Sequence, residues 1–122
     1  MIIQFNNGKP IYIQLAEGLK DAILNEAFEE ETQIPSTTEL SVMYKINPAT
    51  ALKGINMLVD DEILYKKRGI GMFVTAGAKE KIFRKRKRNF YDSYILALLT
   101  EAEKLGIDRN EIINMIERGF DK

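Results

Sequence analysis

The sequence predicts a mostly helical α+β fold, in which three helices and a β-hairpin precede two further helices. Two helix starts carry capping signals, because the oxygens of Ser36 and Asn47 can accept hydrogen bonds from free N–H groups of a first helical turn. Two runs of strand-forming residues with glycines between them follow. This order is that of a winged helix-turn-helix with a two-helix arm after it. We assign residues 1–76 to the winged domain and residues 77–122 to the arm.

The composition excludes most kinds of active site. The chain has no cysteine and no histidine, which removes most zinc sites and the Ser/His and Cys/His nucleophile pairs. Only carboxylate- or lysine-based chemistry would be left to an enzyme, so we expect no catalytic residue, no metal and no cofactor. No apolar run reaches the roughly 20 residues that a membrane span needs, and the start resembles no signal peptide. We therefore expect a cytoplasmic protein that does not contact membranes.

The first helix is predicted from apolar residues that recur every four positions. It has Pro10 in its first turn, ends near residues 25–27, and carries Ile11, Leu15, Leu19 and Ile23 on one face. Gly18 lies inside it and indicates that a neighbouring element packs closely there. The acidic run at residues 29–31 is interpreted as a solvated linker.

The second and third helices are each predicted from a cap. Ser36 and Glu39 form a capping box that opens a helix over Thr37–Tyr44, with Leu40 and Met43 as core candidates. Asn47 caps a helix over Pro48–Asp60, in which proline takes the favoured first position. Its predicted buried face is Ala51, Ile55, Leu58 and Val59, with Gly54 at a close helix crossing.

The remaining elements are a hairpin and the arm. Strands are predicted over residues 63–67 and 71–75, and the tip between them is basic. One helix is expected over about residues 79–105 and stops at Gly106, where a glycine commonly ends a helix. A second, over residues 109–119, follows a capping signal at Asp108.

Three groups of residues have the chemistry to contact DNA. The starts of the second and third helices offer backbone N–H groups and small or polar side chains, which suit phosphates and base edges. The hairpin tip offers cations for the minor groove or its flanking phosphates. The alternatives are plain helix caps and a solubilising hairpin tip. We predict DNA contacts at Ser36, Thr37, Thr38, Asn47, Pro48, Ala49, Thr50, Lys53, Lys66, Lys67, Arg68 and Gly69.

The arm carries a basic run and an apolar stripe. The run at residues 79–88 either lies over the DNA backbone or is a solvated face, and the sequence leaves both open. The stripe is too apolar for an isolated helical hairpin in water. It could pack on the winged domain, but we expect it to pair with a second copy, because two-fold dimers read two half-sites. The predicted dimer interface is Phe90, Tyr94, Leu98, Leu105, Ile112, Ile113 and Ile116.

Several motifs resemble those of GntR-family regulators, and the short arm and the Asn-Pro-x-Thr start of the third helix resemble the YtrA-like subfamily in particular. The motifs are Ile11-Tyr12-x-Gln14-Leu15, Ile34-Pro35-Ser36-x-x-Glu39-Leu40, Ile46-Asn47-Pro48-x-Thr50, Leu58 and Gly69-x-Gly71-x-Phe73-Val74. The resemblance implies a homodimer that binds a palindromic operator in double-stranded DNA, usually to repress a nearby operon, often one for an ABC transporter. It implies contacts at Ser36, Thr38, Asn47, Pro48, Ala49, Thr50, Arg68 and Gly69.

This chain departs from the family pattern at three positions. Thr38, Pro48 and Leu52 stand where the wider family often has arginine. The departures leave a rival function, a winged-helix module that binds protein and not DNA. The short arm shows no evident pocket, so no small-molecule effector is assigned.

Overall fold

The structure, a computed structural model, describes residues 1–122 and contains two compact units, Met1–Phe83 and Arg84–Lys122. The mostly helical α+β class is confirmed. The elements in chain order are α1 (Ile11–Leu24), α2 (Thr37–Tyr44), α3 (Pro48–Asp60), β1 (Leu64–Lys67), β2 (Gly71–Val74), α4 (Ala78–Phe90), a π-helical turn (Tyr91–Ile95), α5 (Leu96–Leu105) and α6 (Arg109–Phe120).

The core of the first unit lies where α1, α2 and α3 meet the hairpin. Burial of this apolar surface is the main force that holds the three helices together. Gly54 allows α1 and α3 to cross closely, because an added Cβ would lie 2.9 Å from the carbonyl oxygen of Tyr12. The largest fully buried side chains are Leu15, Leu19, Ile23, Leu40, Ile55, Leu58, Leu64 and Val74.

We expect Gly54→Leu to destabilise the fold by about 2 kcal/mol or more, because the new side chain must displace backbone or core atoms. Gly119→Leu is the matched control, since nothing lies within 4 Å of a Cβ at that position on α6. Thermal unfolding followed by circular dichroism compares the two variants. A melting temperature for Gly54→Leu at or above that of Gly119→Leu would contradict the close crossing.

The first residues of the chain pack on the winged unit. Ile3 contacts Gly18, as the glycine inside α1 indicated. The rings of Phe5 and Tyr44 meet edge to face with centroids 5.8 Å apart, and the Tyr44 hydroxyl donates to the carbonyl of Met1 at 3.0 Å. Burial raises the pKa of the Tyr44 hydroxyl. This segment therefore joins α1 to the end of α2.

One predicted core position is wrong, and another is only partly buried. Met43 is 55% exposed, because the inward side of α2 is centred on Leu40 and Ser41, and Met43 lies to one side of it. Val59 is half-buried and packs against the core from the edge of the buried face of α3, which is centred on Ala51, Gly54, Ile55 and Leu58.

The acidic linker, predicted to be solvated only, has a structural role. Its backbone pairs with β2, where the N–H of Glu31 donates to Val74 (2.7 Å) and that of Ile34 donates to Met72 (2.9 Å). The exposed Glu30 carboxylate accepts hydrogen bonds from the N–H groups of Gly77 (2.7 Å) and Lys79 (3.4 Å). It thereby caps the first turn of α4, where a negative charge is favoured.

The single helix predicted over residues 79–105 is interrupted. A π-helical turn at Tyr91–Ile95 separates α4 from α5, and the N–H of Leu96 donates to the carbonyl of Tyr91, five residues earlier. One extra residue in a turn rotates the side chains that follow by about 100°. The apolar stripe of the arm therefore changes direction at this turn.

Candidate nucleic-acid interface

The start of α2 holds three of the predicted DNA contacts. The Ser36 hydroxyl accepts from the N–H of Glu39, and the Glu39 carboxylate accepts from the N–H of Ser36, both at 3.0 Å. This is the predicted capping box. Thr38 is exposed and Thr37 is half-buried. Their N–H groups are not used by the cap, so they can still donate to a phosphate at this helix end.

The start of α3 is held by Asn47. Its side-chain oxygen accepts from the N–H of Ala49 at 2.8 Å, and Pro48 takes the first helical position. Asn47, Pro48 and Ala49 are exposed, and Thr50 is half-buried. Because the cap uses the oxygen of Asn47, the amide NH2 is the group that this side chain can offer to DNA.

The outward side of α3, here called the α3 face, consists of Ala49, Leu52, Lys53 and Asn56, all of them exposed. Their spacing of i, i+3, i+4 and i+7 places them on one side of a helix. They lie opposite the buried residues of α3. The sequence predicted contacts at Ala49 and Lys53 and marked Leu52 only as a position where the wider family often has arginine, whereas Asn56 was not predicted. The predicted buried face of α3 could have identified both residues, because it determines which residues lie on the opposite, exposed side of the helix.

Lys53 is the single basic residue of α3, and it is directed toward α1. Its ammonium nitrogen lies 4.1 Å from the centroid of the Tyr12 ring. This is the geometry of a cation–π contact, in which the ring face attracts the charge. The charge of Lys53 is therefore held at the edge of the α3 face.

The hairpin forms the wing. Leu64 pairs with Val74 and Lys67 with Gly71, in antiparallel register. The tip is closed by the N–H of Ile70, which donates to the carbonyl of Lys67 at 2.9 Å. Gly69 has a φ of +77°, a conformation that other residues adopt only with strain.

The cations of the wing are exposed at this tip. Lys66, Lys67 and Arg68 are all exposed. The Lys67 nitrogen lies 4.1 Å from the centroid of the Phe73 ring, which stacks on Tyr65. The basic tip of the hairpin therefore lies next to a stacked pair of aromatic rings.

The basic run at residues 79–88 begins with cations that have acidic partners in the first unit. Lys79 pairs with Glu26 at 3.2 Å, and Lys81 pairs with Glu62 at 3.6 Å. Exposed ion pairs of this kind are worth little stability. Lys87 and Arg88, at the other end of the run, are exposed.

In the second unit, six of the seven predicted interface residues are exposed, and Ile112 is half-buried. The rings of Phe90 and Tyr94 pack together with centroids 5.5 Å apart. Phe120, which sequence reasoning did not name, is 85% exposed. This unit therefore presents an apolar surface that it does not cover by itself. The exposed predicted residues are Phe90, Tyr94, Leu98, Leu105, Ile113 and Ile116.

No group of three or more acidic, histidine or cysteine side chains is arranged to hold a metal ion. None of the helices has the length and apolar character needed to cross a bilayer.

The domain architecture has a known family match. Residues 11–74, from the first residue of α1 to the end of β2, match the family model described as bacterial regulatory proteins of the gntR family. The chain belongs to the GntR family. The resemblance noted from the motifs is confirmed, and GntR-family proteins with this winged helix-turn-helix are DNA-binding transcriptional regulators, not enzymes.

Curated relatives from Bacillus subtilis extend the match beyond the winged domain. The uncharacterized regulator YhcF is 24% identical over 114 residues, which are 93% of this chain and 93% of YhcF. The repressor YtrA is 24% identical over 108 residues, which are 88% of this chain and 82% of YtrA. Similarity along nearly the full length includes the arm, as the YtrA-like resemblance implied.

Solved structures support the same fold. A crystal structure described as a GntR-family transcriptional regulator from Bacteroides thetaiotaomicron has 36% identity and a TM-score of 0.77, and covers 91% of this chain and 96% of that one. The DNA-binding domain of AraR in complex with an operator has 26% identity and a TM-score of 0.57. It covers 62% of this chain and 96% of that domain. A domain with a similar fold is thus known in complex with an operator.

Proposed function

We propose that this chain is a cytoplasmic homodimeric repressor that binds a palindromic operator near the operon it controls, with ABC-transporter operons as the leading candidate targets. The observation that carries the proposal is that the start of α3 and the basic wing tip, both exposed, belong to one GntR-family domain. The names of YtrA and NagR, a second relative that is 32% identical over 72 residues, support repression.

In the proposed complex, α3 enters the major groove and the wing touches the minor groove. Asn47, Pro48, Ala49 and Thr50 lie at the end of α3 that enters first. The width of the major groove supports this placement, because a groove about 12 Å wide admits one α-helix. The start of α2, through Ser36, Thr37 and Thr38, and the tip residues Lys66, Lys67, Arg68 and Gly69 then contact phosphates, with Lys53 beside them.

The arm is proposed to form the dimer. Its exposed apolar surface supports this role, because large apolar patches on soluble proteins commonly mark interaction sites. Pairing of two arms would bring two winged domains to two half-sites, as palindromic operators require. We keep residues 1–76 as the proposed reading domain and 77–122 as the proposed arm. The basic run at residues 79–88 remains a candidate for contact with the DNA backbone.

Two substitutions of Asn47 can distinguish its role as the cap of α3 from its proposed role as a base contact. Asn47→Ser keeps an oxygen that can cap α3, since serine is nearly as good a cap as asparagine, but removes the amide NH2. We expect Asn47→Ser to keep the melting temperature and to lose preference among bases. Asn47→Ala should also lose about 1 kcal/mol of stability through the missing cap. Unchanged base preference in both variants, measured by competition with mutated duplexes, would show that Asn47 is only a cap.

Direct DNA binding at low salt tests the proposed function. Fluorescence anisotropy of the full chain with a labelled random-sequence duplex should show binding at about 50 mM salt. The logarithm of the affinity should fall linearly with the logarithm of the salt concentration as counterions are released.

The rival function is a protein-binding winged helix that does not bind DNA. It is favoured by Thr38, Pro48 and Leu52, which supply no cations where the wider family often has arginine. It predicts no binding of any duplex at about 50 mM salt, where even non-specific binding should appear. That result would contradict the repressor proposal.

A further inference from the structure

The α3 face carries the apolar side chains of Ala49 and Leu52 and the amide of Asn56. Its one cation, Lys53, is directed toward α1. Leu52 is 48% exposed beside the exposed Ala49, one turn earlier. Asn56 lies a further turn along the same side, and its mid-helix position gives its amide no capping role. From Ala49 to Asn56 the face rises about 10 Å along the helix, a length that spans roughly three base pairs.

We propose that Leu52 and Asn56 are sequence-reading residues, and that they give this protein a preference for A·T pairs beneath the middle of α3. The proposal rests on the proposed function, namely that α3 lies in the major groove. Leu52, with Ala49, packs on thymine methyl groups, and the amide of Asn56 pairs with the N6 and N7 edge of adenine. These are the contacts that apolar and asparagine side chains make in the major groove.

The placement of Lys53 supports a preference for A·T pairs. A lysine that reads a base in the major groove usually pairs with the O6 and N7 atoms of guanine. Here the ammonium group of Lys53 lies 4.1 Å above the Tyr12 ring, toward α1. This contact holds the one cation of α3 toward α1, at the edge of the α3 face. The apolar and amide groups are then what the middle of the helix offers to bases.

The spacing of the face also supports base contact beyond the first turn of α3. Residues at i, i+3, i+4 and i+7 lie on one side of a helix, and homeodomain recognition helices read the major groove from positions with this same spacing. Asn56 differs from Asn47 in one decisive respect. The side-chain oxygen of Asn47 caps the helix, whereas both groups of the Asn56 amide are available for a bidentate pair with adenine.

The test begins with the full chain and a pool of duplexes that carry a randomised core long enough for two half-sites, about three helical turns of DNA. Duplexes retained through repeated selection define the preferred site. The best duplex is then synthesised with deoxyuridine in place of single thymidines, which removes one methyl group and keeps base pairing. We expect a loss of about fourfold in affinity at each thymine that Leu52 or Ala49 contacts.

Variants assign the contacts to residues. Leu52→Ala should abolish the deoxyuridine effect at one thymine, while Ile2→Ala, which shortens a 91% exposed side chain in the first segment, should retain it. Asn56→Ala should lose about fivefold or more in discrimination at one adenine. Asn110→Ala, on the exposed start of α6, is its matched control and should not.

The outcomes separate this inference from the proposed function. A selected site that wild-type protein and both variants bind with the same base preferences and the same deoxyuridine response would overturn the inference and leave DNA binding standing. The same holds for a selected site with G·C pairs throughout the centre of each half-site. Failure to retain any duplex at low salt would overturn both. Variant-specific loss at A·T pairs would establish the two residues as readers.

Discussion

Tyr94→Glu combined with Leu105→Glu is expected to convert the proposed dimer into monomers and to weaken operator binding by about 100-fold or more. Both side chains are largely exposed within the second unit, at 66% and 64%, so the substitutions should leave the helices intact. In a dimer, charges at these positions would be buried without partners. A monomer would lose the gain in affinity that comes from binding two linked half-sites, which is typically about 100- to 10,000-fold.

Light scattering coupled to size exclusion measures the mass, and anisotropy with the selected duplex measures the affinity. Arg118→Glu changes the net charge by the same amount, on a different side of α6 from Ile112 and Ile116. This control should remain dimeric and bind normally. A double variant that stays dimeric would show that the arm surface around these residues is not the dimer interface.

Lys67→Gln with Arg68→Gln is expected to weaken binding to every duplex, by about tenfold or more at low salt. Glutamine removes both charges but keeps polar side chains at the tip, and at Lys67 it also removes the ammonium group that lies over the Phe73 ring. The slope of log affinity against log salt should become shallower by about 0.9 for each phosphate that the variant no longer neutralises. Base preference should stay the same, because phosphate contacts carry no sequence information.

Lys104→Ala with Lys122→Ala removes the same charge from the arm and controls for a general electrostatic effect. Equal reductions in affinity for the two double variants would mean that net charge, and not the wing tip, supplies the affinity. An unchanged salt slope in the wing variant would remove the wing from the interface.

Much of the winged unit could be predicted from the sequence, because its signals are local. The caps at Ser36 and Asn47 determine where α2 and α3 begin, and both helices have the predicted bounds. Gly18 and Gly54 indicated close contacts, and both contacts are present. Local hydrogen-bonding and steric signals of this kind depend on only a few neighbouring residues, so they can be read without the tertiary structure.

Features that depend on distant parts of the chain could not be predicted in this way. The bonds from Glu30 to the N–H groups of Gly77 and Lys79 join residues 47 and 49 positions apart. Pairing of the acidic linker with β2 is equally non-local. The contact of Lys53 with Tyr12 depends on how α1 and α3 cross, so the direction of this cation was not visible in the sequence.

In the candidate site, too, some features could be predicted from local sequence signals and others could not. Exposure of the wing cations followed from the hairpin pattern. The outward α3 face followed only in part, because Leu52 was marked only as a departure from the family pattern and Asn56 is recognised by its position opposite the buried residues. In the arm, the apolar stripe was visible, but the π-helical turn that redirects it at Tyr91–Ile95 leaves no simple periodic signal.

We propose that two chains read two symmetric half-sites on one operator. Hydroxyl-radical footprinting of the full chain on the selected duplex, with the mass of the complex determined by sedimentation, tests it most directly. We predict two chains per duplex and two equivalent protected segments, with centres separated by one helical turn of about 10 base pairs or a multiple of it. One chain per duplex with a single protected segment would contradict the claim.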